Sequence, residues 1–483
     1  MKGGAGAWRG LGGVGGLAGL GAGARRARLC LYSVALAFVL FAAFDGFLAS
    51  VSPYRAQVSG FFSSSLFPAN STTSSSASGG QAGTNGSGAN ASSAEAPTGN
   101  GTSVLFVNQT GSAASALTHS NRSAVPVMGN VRPPNAGGGQ DKSHWIEEMG
   151  RCDMFDGNWV RDDSYPLYRE GSCPYVTESF NCFRNGRPDK DYQRLRWQPS
   201  GCSIPRLNRT DMLERLRGKR LVFVGDSLNR NMWQSLICIL RNSIKDRRKL
   251  FKDYNCTVEF FRSPFLVQEW KVPRRHGKSK ETLRLDKIDP SSSRYKDADI
   301  IVFNTGHWWT HDKTSLGKDY YQEGDQVYSE LNVNDAYRRA LNTWANWVDT
   351  NVNPKKTTIF FRGYSPSHFS GGPWNSGGRC DKETEPIRKE QYLMPYPQKM
   401  SILEEVLHGM KTPVAYMNIT RMTDYRKDGH PSVYRKQKLT KEERKSPELY
   451  QDCSHWCLPG VPDSWNEVLY AHILVKQHQM SHQ

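Results

Sequence analysis

With 483 residues the chain has room for two or three domains, and its net charge of +17 favours an acidic partner. The basic residues do not form a single arm or stripe, which argues against a nucleic-acid-binding protein.

A mostly apolar stretch, in which Asp45 is the one charged residue, lies near the N-terminus. It covers residues 29–51, about 23 residues, which is long enough to span a bilayer. A cleaved signal peptide is the alternative, but this apolar run is longer than a typical signal core, so we predict an uncleaved transmembrane anchor. Because Arg25, Arg26 and Arg28 precede the run, we expect residues 1–28 to be a cytosolic basic tail and the rest of the chain to be lumenal.

Residues 52–147 consist mainly of Ser, Ala, Gly, Asn and Thr and carry little charge. Such a segment buries too little apolar surface to offset its chain entropy. N-x-S/T sequons follow the anchor, most of them in this segment, and receive glycans only on the lumenal side. We predict a disordered, glycosylated stem. The sequons begin at Asn70, Asn85, Asn90, Asn100, Asn108, Asn121, Asn208, Asn255 and Asn418.

The cysteines after the anchor have no grouped spacing of the kind that binds zinc, so we predict disulfides and no metal site. Their number is odd, so at least one thiol stays free or pairs between chains. Residues 148–203 contain several of them among aromatic residues, which predicts a small disulfide-stapled subdomain with little regular structure. The disulfide candidates are Cys152, Cys173, Cys202, Cys238, Cys380, Cys453 and Cys457.

Residues 204–483 alternate between apolar strand patterns and helical patterns. This alternation predicts an α/β fold with a parallel sheet covered by helices, and functional residues at the carboxyl ends of the strands. The predicted strands are 219–224, 298–303, 357–362 and 414–418, and the predicted helices are 228–240, 335–348, 398–410 and 464–477.

Gly225-Asp226-Ser227 lies where the first of these strands ends and a helix begins. The glycine permits a tight turn, and a serine at a helix N-terminus has unpaired backbone N–H groups nearby that can stabilise an oxyanion. An ordinary helix N-cap is the alternative.

A second group, Asp452-Cys453-Ser454-His455-Trp456-Cys457, precedes the last helix. The spacing of Asp452 and His455 places both side chains on one side of a turn, where the carboxylate can orient the imidazole and the imidazole can deprotonate Ser227. We predict Ser227, His455 and Asp452 as the catalytic set; unrelated surface-loop residues are the alternative.

Further site candidates follow the later strands. For the oxyanion hole we name Gly225, Asn304 and Gly306. Buried aromatic residues and structural histidines, such as His307 and His368, are the common interpretation of the surrounding positions, but aromatic rings also stack on sugars. The candidates for substrate binding are Trp308, Trp309, Arg362 and Tyr364, with Trp374 as a further stacking residue. Residues 242–280 are rich in Lys and Arg and form either a solvated face or a groove for an anionic polymer.

Together, the anchor, the stem, the cysteine-rich stretch, Gly225-Asp226-Ser227 and Asp452-Cys453-Ser454-His455 resemble the plant trichome birefringence-like family over about residues 148–478. The segment 261–267 (FRSPFLV) and the Ser/Thr-rich stem resemble the member that gave the family its name. The resemblance implies a plant-specific N-terminal domain at residues 148–203 and a PC-esterase domain at residues 204–483. It also implies an SGNH-hydrolase-like three-layer α/β/α fold.

The resemblance further implies a Golgi polysaccharide O-acetyltransferase, single-pass and type II, with Ser227 as nucleophile, His455 as general base and Asp452 as the orienting acid. We expect no bound cofactor, with acetyl-CoA or an acetylated carrier as co-substrate, cell-wall polysaccharide (xylan or pectin) as acceptor, and other Golgi acetylation components as partners. The rivals are an acetylesterase, which uses the same triad with water, and a non-catalytic pectin-binding or bridging protein.

Overall fold

The structure is a computed structural model that describes residues 139–241, 253–272, 280–310, 312–374, 376–446 and 450–482. The predicted anchor and all but the last residues of the predicted stem lie outside these ranges. Over the described ranges, every helix is too short or too polar to cross a bilayer.

The strands are, in chain order, β1 Gly157–Arg161, β2 Leu195–Pro199, β3 Arg220–Gly225, β4 Thr257–Arg262, β5 Val267–Val272, β6 Lys280–Ile288, β7 Ile300–Phe303, β8 Tyr321–Glu323, β9 Gln326–Val327, β10 Thr358–Arg362 and β11 Val414–Met417. The α-helices are α1 Gly139–Arg151, α2 Arg209–Arg215, α3 Ser227–Arg241, α4 Asp312–Leu316, α5 Val333–Asn351, α6 Gln398–His408, α7 Thr420–Asp424, α8 Lys441–Lys445 and α9 Val461–Ser481.

A five-stranded parallel sheet in the order β11-β10-β7-β3-β4 forms the centre of the described structure. Alternate residues of β3 point to opposite faces: Leu221 and Phe223 pack in one core with α3 and α9, while Val222 and Val224 pack in another with α5 and α6. Because both faces are covered, the central strands β3, β7 and β10 are mostly apolar. The sheet and its two helical layers confirm the predicted α/β class.

The predicted strands and helices agree with the structure to within a few residues. The sequence analysis missed β4 and a second sheet in the order β5-β6-β8-β9, which packs its buried residues on the α5 side. These strands are short or partly polar, so their local patterns are weak. Most of the Lys and Arg residues of the basic segment 242–280 fall in the undescribed gaps; Lys271, in β5, lies 3.8 Å from Glu281.

Disulfides connect the cysteine-rich stretch to the rest of the chain. Within the described ranges the pairs are Cys152–Cys202, Cys173–Cys238, Cys182–Cys457 and Cys380–Cys453, and Cys256 is a buried free thiol. All seven candidates are therefore paired, and Cys182 is the eighth partner. Because only the first pair closes within residues 148–203, one disulfide joins this stretch to itself and two join it to residues 204–483. Its Trp197 also shares a core with Trp465 of α9.

Candidate active site

The turn after β3 brings the nucleophile candidate to the carboxyl edge of the sheet. Gly225 has a φ of +154°, and a Cβ there would lie 1.9 Å from Asn304 Oδ1, so only glycine allows the two segments to approach this closely. Ser227 is the first residue of α3. Its N–H therefore belongs to the first turn, where backbone donors have no partner within the helix.

Asp226 fixes this turn through its side chain and its backbone. Its Oδ1 accepts hydrogen bonds from Leu228 N–H (2.9 Å) and Asn304 Nδ2 (2.8 Å), and its own N–H donates to Asn304 Oδ1 (3.1 Å). Arg362 Nη2 lies 3.9 Å from the same carboxylate, and both side chains are fully buried. The backbone that carries Ser227 is thus anchored to β7 and β10.

Ser227, His455 and Asp452 lie in hydrogen-bonding contact. His455 Nε2 is 2.6 Å from Ser227 Oγ, and His455 Nδ1 is 2.8 Å from Asp452 Oδ2. An ionised carboxylate only accepts, so Nδ1 carries the hydrogen and Nε2 presents a lone pair to the serine hydroxyl. The structure therefore places the three residues as a nucleophile, a base and an orienting acid require.

Asp452 is ionised although it is buried. Burial raises the pKa of a carboxyl group, but the neighbouring His455 and hydrogen bonds from the backbone N–H groups of His455 (3.0 Å) and Ser454 (3.1 Å) lower the pKa of Asp452 below its usual range. The carboxylate therefore keeps its negative charge for orienting the imidazole.

The catalytic loop, residues 452–457, is fastened at both ends. Cys453 is bonded to Cys380, and Cys457 to Cys182 of the cysteine-rich stretch. The ring of Phe180, from the same stretch, lies 5.3 Å from the ring of His455. The cysteine-rich stretch thus forms one wall of the candidate site.

Two further histidines, His430 and His368, connect the loop to Asp424 through hydrogen bonds. His430 Nδ1 lies 2.7 Å from the carbonyl oxygen of His455, and His430 Nε2 lies 2.7 Å from His368 Nδ1. His368 Nε2 faces the backbone oxygen of Asp424 (2.9 Å) and its Oδ1 (3.2 Å). His430 also stacks on Trp456, with ring centroids 4.1 Å apart.

The partners of this pair fix its protons. A carbonyl oxygen only accepts, so His430 Nδ1 and His368 Nε2 each carry a hydrogen, and the contact between the two rings holds a third. Burial, and then the neighbouring His368, lowers the pKa of His430 well below its ordinary value, so the His430 imidazole is neutral.

The oxyanion candidates have different environments. Gly225 supplies space for Asn304, and Asn304 uses its side-chain oxygen and one amide hydrogen to bind Asp226. The Gly306 carbonyl accepts from Lys399 Nζ at 3.2 Å, and Gly306 has a φ of +140°. A role for Asn304 in oxyanion binding would need its second amide hydrogen, so that role stays a prediction.

Two of the substrate-binding candidates are wrong as direct contacts. Arg362 is fully buried against Asp226, and Trp309 is 2% exposed in a core with Phe265 and Tyr337. Neither side chain reaches a polysaccharide, because burial in the core excludes the ligand. Trp308 and Tyr364 are partly exposed, and Trp374 is half exposed.

Tyr364 belongs to a small cluster that the sequence did not reveal as a unit. His307 stacks on it with ring centroids 4.4 Å apart, and Lys399 Nζ lies 5.1 Å from the centre of the tyrosine ring. Burial lowers the pKa of His307 to about 3, so its imidazole is neutral, and lowers the pKa of Lys399 to about 8. His307 is thus a neutral side chain that packs against Tyr364 beside the site.

Sequence reasoning missed Phe180, Arg230, Lys399 and His430. Phe180, Lys399 and His430 come from distant segments without a motif of their own, and only the fold brings them to the site. Arg230 lies three residues after Ser227 on α3, so the helical spacing was a signal that could have found it. One sequence signal did point to the region of Phe180: Cys457 of the catalytic loop needed a disulfide partner. That partner is Cys182, two residues after Phe180.

The site can perform acyl transfer: it has a serine hydroxyl paired with an oriented base at a helix N-terminus. Residues 204–472 match the family described as PC-Esterase, a GDSL/SGNH-like acyl-esterase family found in Pmr5 and Cas1p. Residues 150–203 match the PMR5 N-terminal domain.

Relatives with curated descriptions extend this similarity. Protein trichome birefringence of Arabidopsis thaliana is 64% identical over 360 residues, which cover 71% of this chain and 59% of that protein. Protein trichome birefringence-like 1 is 65% identical over 353 residues (69% of this chain, 64% of that protein), and protein trichome birefringence-like 4 is 56% identical over 349 residues (68% and 76%), both from the same plant. The matched region thus spans less than two thirds of the first two relatives. The chain belongs to the trichome birefringence-like family, and its catalytic region to the GDSL/SGNH-like acyl-esterases.

Proposed function

We propose that this protein transfers an acetyl group to a hydroxyl of a plant cell-wall polysaccharide through an acetyl-Ser227 intermediate. The observation that carries the proposal is the 2.6 Å contact between Ser227 Oγ and His455 Nε2, with Asp452 on the opposite ring nitrogen. The family description, an acyl-esterase, supports the same bond chemistry.

In the first step, Ser227 Oγ attacks the carbonyl carbon of the acetyl donor while His455 Nε2 takes the serine proton. The carbonyl oxygen becomes an oxyanion at the N-terminus of α3, where the N–H of Ser227 and the helix dipole stabilise it. The bond to the leaving group then breaks, and His455 returns the proton to that group. The product is acetyl-Ser227 and the released donor.

In the second step, a sugar hydroxyl attacks the acetyl-serine ester. His455 takes the hydroxyl proton and then gives it to Ser227 Oγ as the ester bond breaks, so the serine is restored and the sugar carries the acetyl group. Water in place of the sugar would give an esterase. The geometry of the triad is the same for both reactions, and the resemblance to the trichome birefringence-like family favours transfer. The choice between xylan and pectin is part of the proposal.

The same proposal covers the donor and the location. We propose acetyl-CoA or an acetylated carrier as donor without a tightly bound cofactor, and a Golgi lumenal catalytic region on a type II anchor at residues 29–51, working beside other acetylation components. Paired cysteines are typical of an oxidising compartment, and N-x-S/T sequons are used there, which supports this location.

The direct test is acetyl transfer by the purified full chain from a donor to xylan and pectin oligosaccharides, followed by mass spectrometry. Wild type should yield acetylated oligosaccharide, Ser227→Ala should yield none, and Ser293→Ala, a change at an exposed serine, should match wild type. Wild type that only removes acetate from acetylated oligomers would make the protein an esterase. Unchanged polysaccharide function in the Ser227→Ala variant would favour the bridging protein.

A further inference from the structure

Arg230 lies one helical turn after Ser227. Residues three apart on a helix are neighbours on one face, so the guanidinium lies on the side of α3 that carries the nucleophile. It is stacked over Phe180, with Cζ 5.4 Å from the ring centre, and Phe180 in turn contacts the ring of His455. Arg230 therefore belongs to the wall of the acyl-transfer site.

This arginine is partly buried, and its charge lacks a partner in the described part of the chain. Its Nε is enclosed without an acceptor there, and none of the described carboxylates lies within ion-pair distance of its side chain. Arginines that lose water are normally paired with a carboxylate, because a desolvated charge is costly without a counter-charge. An anion that enters with the substrate would supply the missing partner.

The charged side chain that acts on Arg230 is a second cation. Burial lowers the pKa of Arg230, and Arg262, at the end of β4 in register with Gly225, lowers it further. Arg262 is exposed, its Nη1 lies 3.4 Å from Glu269 Oε2, and its guanidinium lies over the ring of Trp308 at 5.7 Å. Across the sheet edge, Lys399 contacts the Gly306 carbonyl. A cation therefore lies at the carboxyl end of each of the two strands that pair with β3, which are β4 and β7.

We propose that Arg230 recognises an anionic oxygen group, a carboxylate or a phosphate, on the molecule that occupies the acyl-transfer site. The inference rests on the proposed function and names the substrate class of that site. A uronate carboxylate of the acceptor and a phosphate of the acetyl donor are the two sources of this chemistry. Arginine suits both because its planar donor fork matches either group.

Binding tests the proposal separately from catalysis, so the full chain carries Ser227→Ala throughout. Calorimetry compares three proteins: this background alone, the background with Arg230→Gln, and the background with Arg241→Gln. Arg241 ends the same helix, about 21 Å along its axis from Ser227, and contacts Ser172 and Tyr175 instead. The charge change is identical in the two double variants.

Each ligand has a neutral counterpart. Trigalacturonate is compared with its methyl ester, and coenzyme A with pantetheine, which lacks the phosphates. We expect Arg230→Gln to weaken binding of trigalacturonate or of coenzyme A about tenfold, and to change binding of the neutral counterpart less than about twofold. Arg241→Gln should leave all four affinities unchanged. The ligand that responds identifies the source of the anion.

Two results would overturn the proposal. Equal weakening of a charged ligand and its neutral counterpart would show that Arg230 contributes packing only. Equal affinity of the background protein for both members of each pair would show that the site does not select anions. Neither result depends on acetyl transfer, whose absence in wild type would instead count against the proposed function.

Discussion

Around His455, single residues control the position of the proposed catalytic base. Asp452 accepts a hydrogen bond from His455 Nδ1, the ring nitrogen that must carry the hydrogen. His430 Nδ1 donates to the backbone carbonyl oxygen of His455. The first contact sets the tautomer of the imidazole, and the second holds the backbone of the loop at His455. A base displaced by about 1 Å can cost about a hundredfold in rate, so both contacts bear on catalysis.

A pair of substitutions separates the hydrogen bond of His430 from its packing. His430→Phe keeps a ring against Trp456 but removes the donor to the His455 carbonyl, and we expect kcat to fall at least about tenfold with little change in KM. His430→Asn retains a donor near the position of Nδ1 and should recover much of kcat. Steady-state kinetics on both variants checks this. A His430→Asn variant as inactive as His430→Phe would contradict a role through that hydrogen bond.

Among the elements, α9 contains two buried carboxyl groups that are not part of the site. Asp463 accepts from Ser235 Oγ (2.6 Å), and Glu467 accepts from Tyr165 OH (2.6 Å) and Leu207 N–H (3.1 Å). Burial raises the pKa of each carboxyl to about 7. These groups connect the last helix to α3 and to the cysteine-rich stretch in their protonated forms.

This raised pKa makes the stability of wild type depend on pH. Below the ordinary carboxyl pKa both folded and unfolded states are protonated; as pH rises toward 7, only the unfolded state ionises, so folding stability falls and then levels off above 7. For Glu467 the loss is about 3 kcal/mol in all. Glu467→Gln keeps the acceptor but cannot ionise, so its melting temperature relative to wild type should rise between pH 5 and pH 7.

The matched control is Glu442→Gln, at an exposed position in α8. Its melting temperature relative to wild type should be the same at pH 5 and pH 7. A constant difference between Glu467→Gln and wild type across that range would show that Glu467 is ionised in the folded protein.

On the scale of the whole molecule, the cysteine-rich stretch and the catalytic region are one structural unit. Trp159 Nε1 donates to the Met422 carbonyl (2.6 Å), and Arg187 Nη1 donates to the His430 carbonyl (2.7 Å). The disulfide of Cys182 adds a covalent connection to the catalytic loop. The N-terminal stretch therefore contributes to the position of His455 as well as to stability.

Removing different disulfides should distinguish these two contributions. Cys182→Ser with Cys457→Ser releases one end of the catalytic loop, whereas Cys173→Ser with Cys238→Ser releases α3 at the end remote from Ser227. In each double variant the free energy of unfolding, measured by denaturant unfolding, should fall by about 2–5 kcal/mol. Only the first should also lose kcat, by about tenfold or more. Equal kcat in the two folded variants would mean that the loop keeps its position without Cys182.

The sequence predicts those parts of the structure whose signal lies within one short continuous stretch of residues. Strands buried on both faces, such as β3 and β7, have long apolar patterns, and the turn at Ser227 and the loop at His455 are compact motifs, so all were predictable. The half-polar strands of the second sheet have weak patterns. Arg362 was mistaken for a ligand contact because charged side chains are normally exposed. Its buried partner Asp226 lies in the turn after β3, far from Arg362 in the sequence. Phe180 and His430 depend on tertiary packing alone.

The most direct test of the central claim is to look for the acetyl-serine itself. Wild type and a His455→Ala variant are mixed with an acetyl donor, quenched and digested, and the peptide that contains Ser227 is weighed by mass spectrometry. The account predicts an acetyl group on Ser227 in wild type that disappears when acceptor oligosaccharide is added, and none in the variant. The account would be contradicted if wild type formed acetylated oligosaccharide while Ser227 was never acetylated, including in reactions that contain the donor and no acceptor.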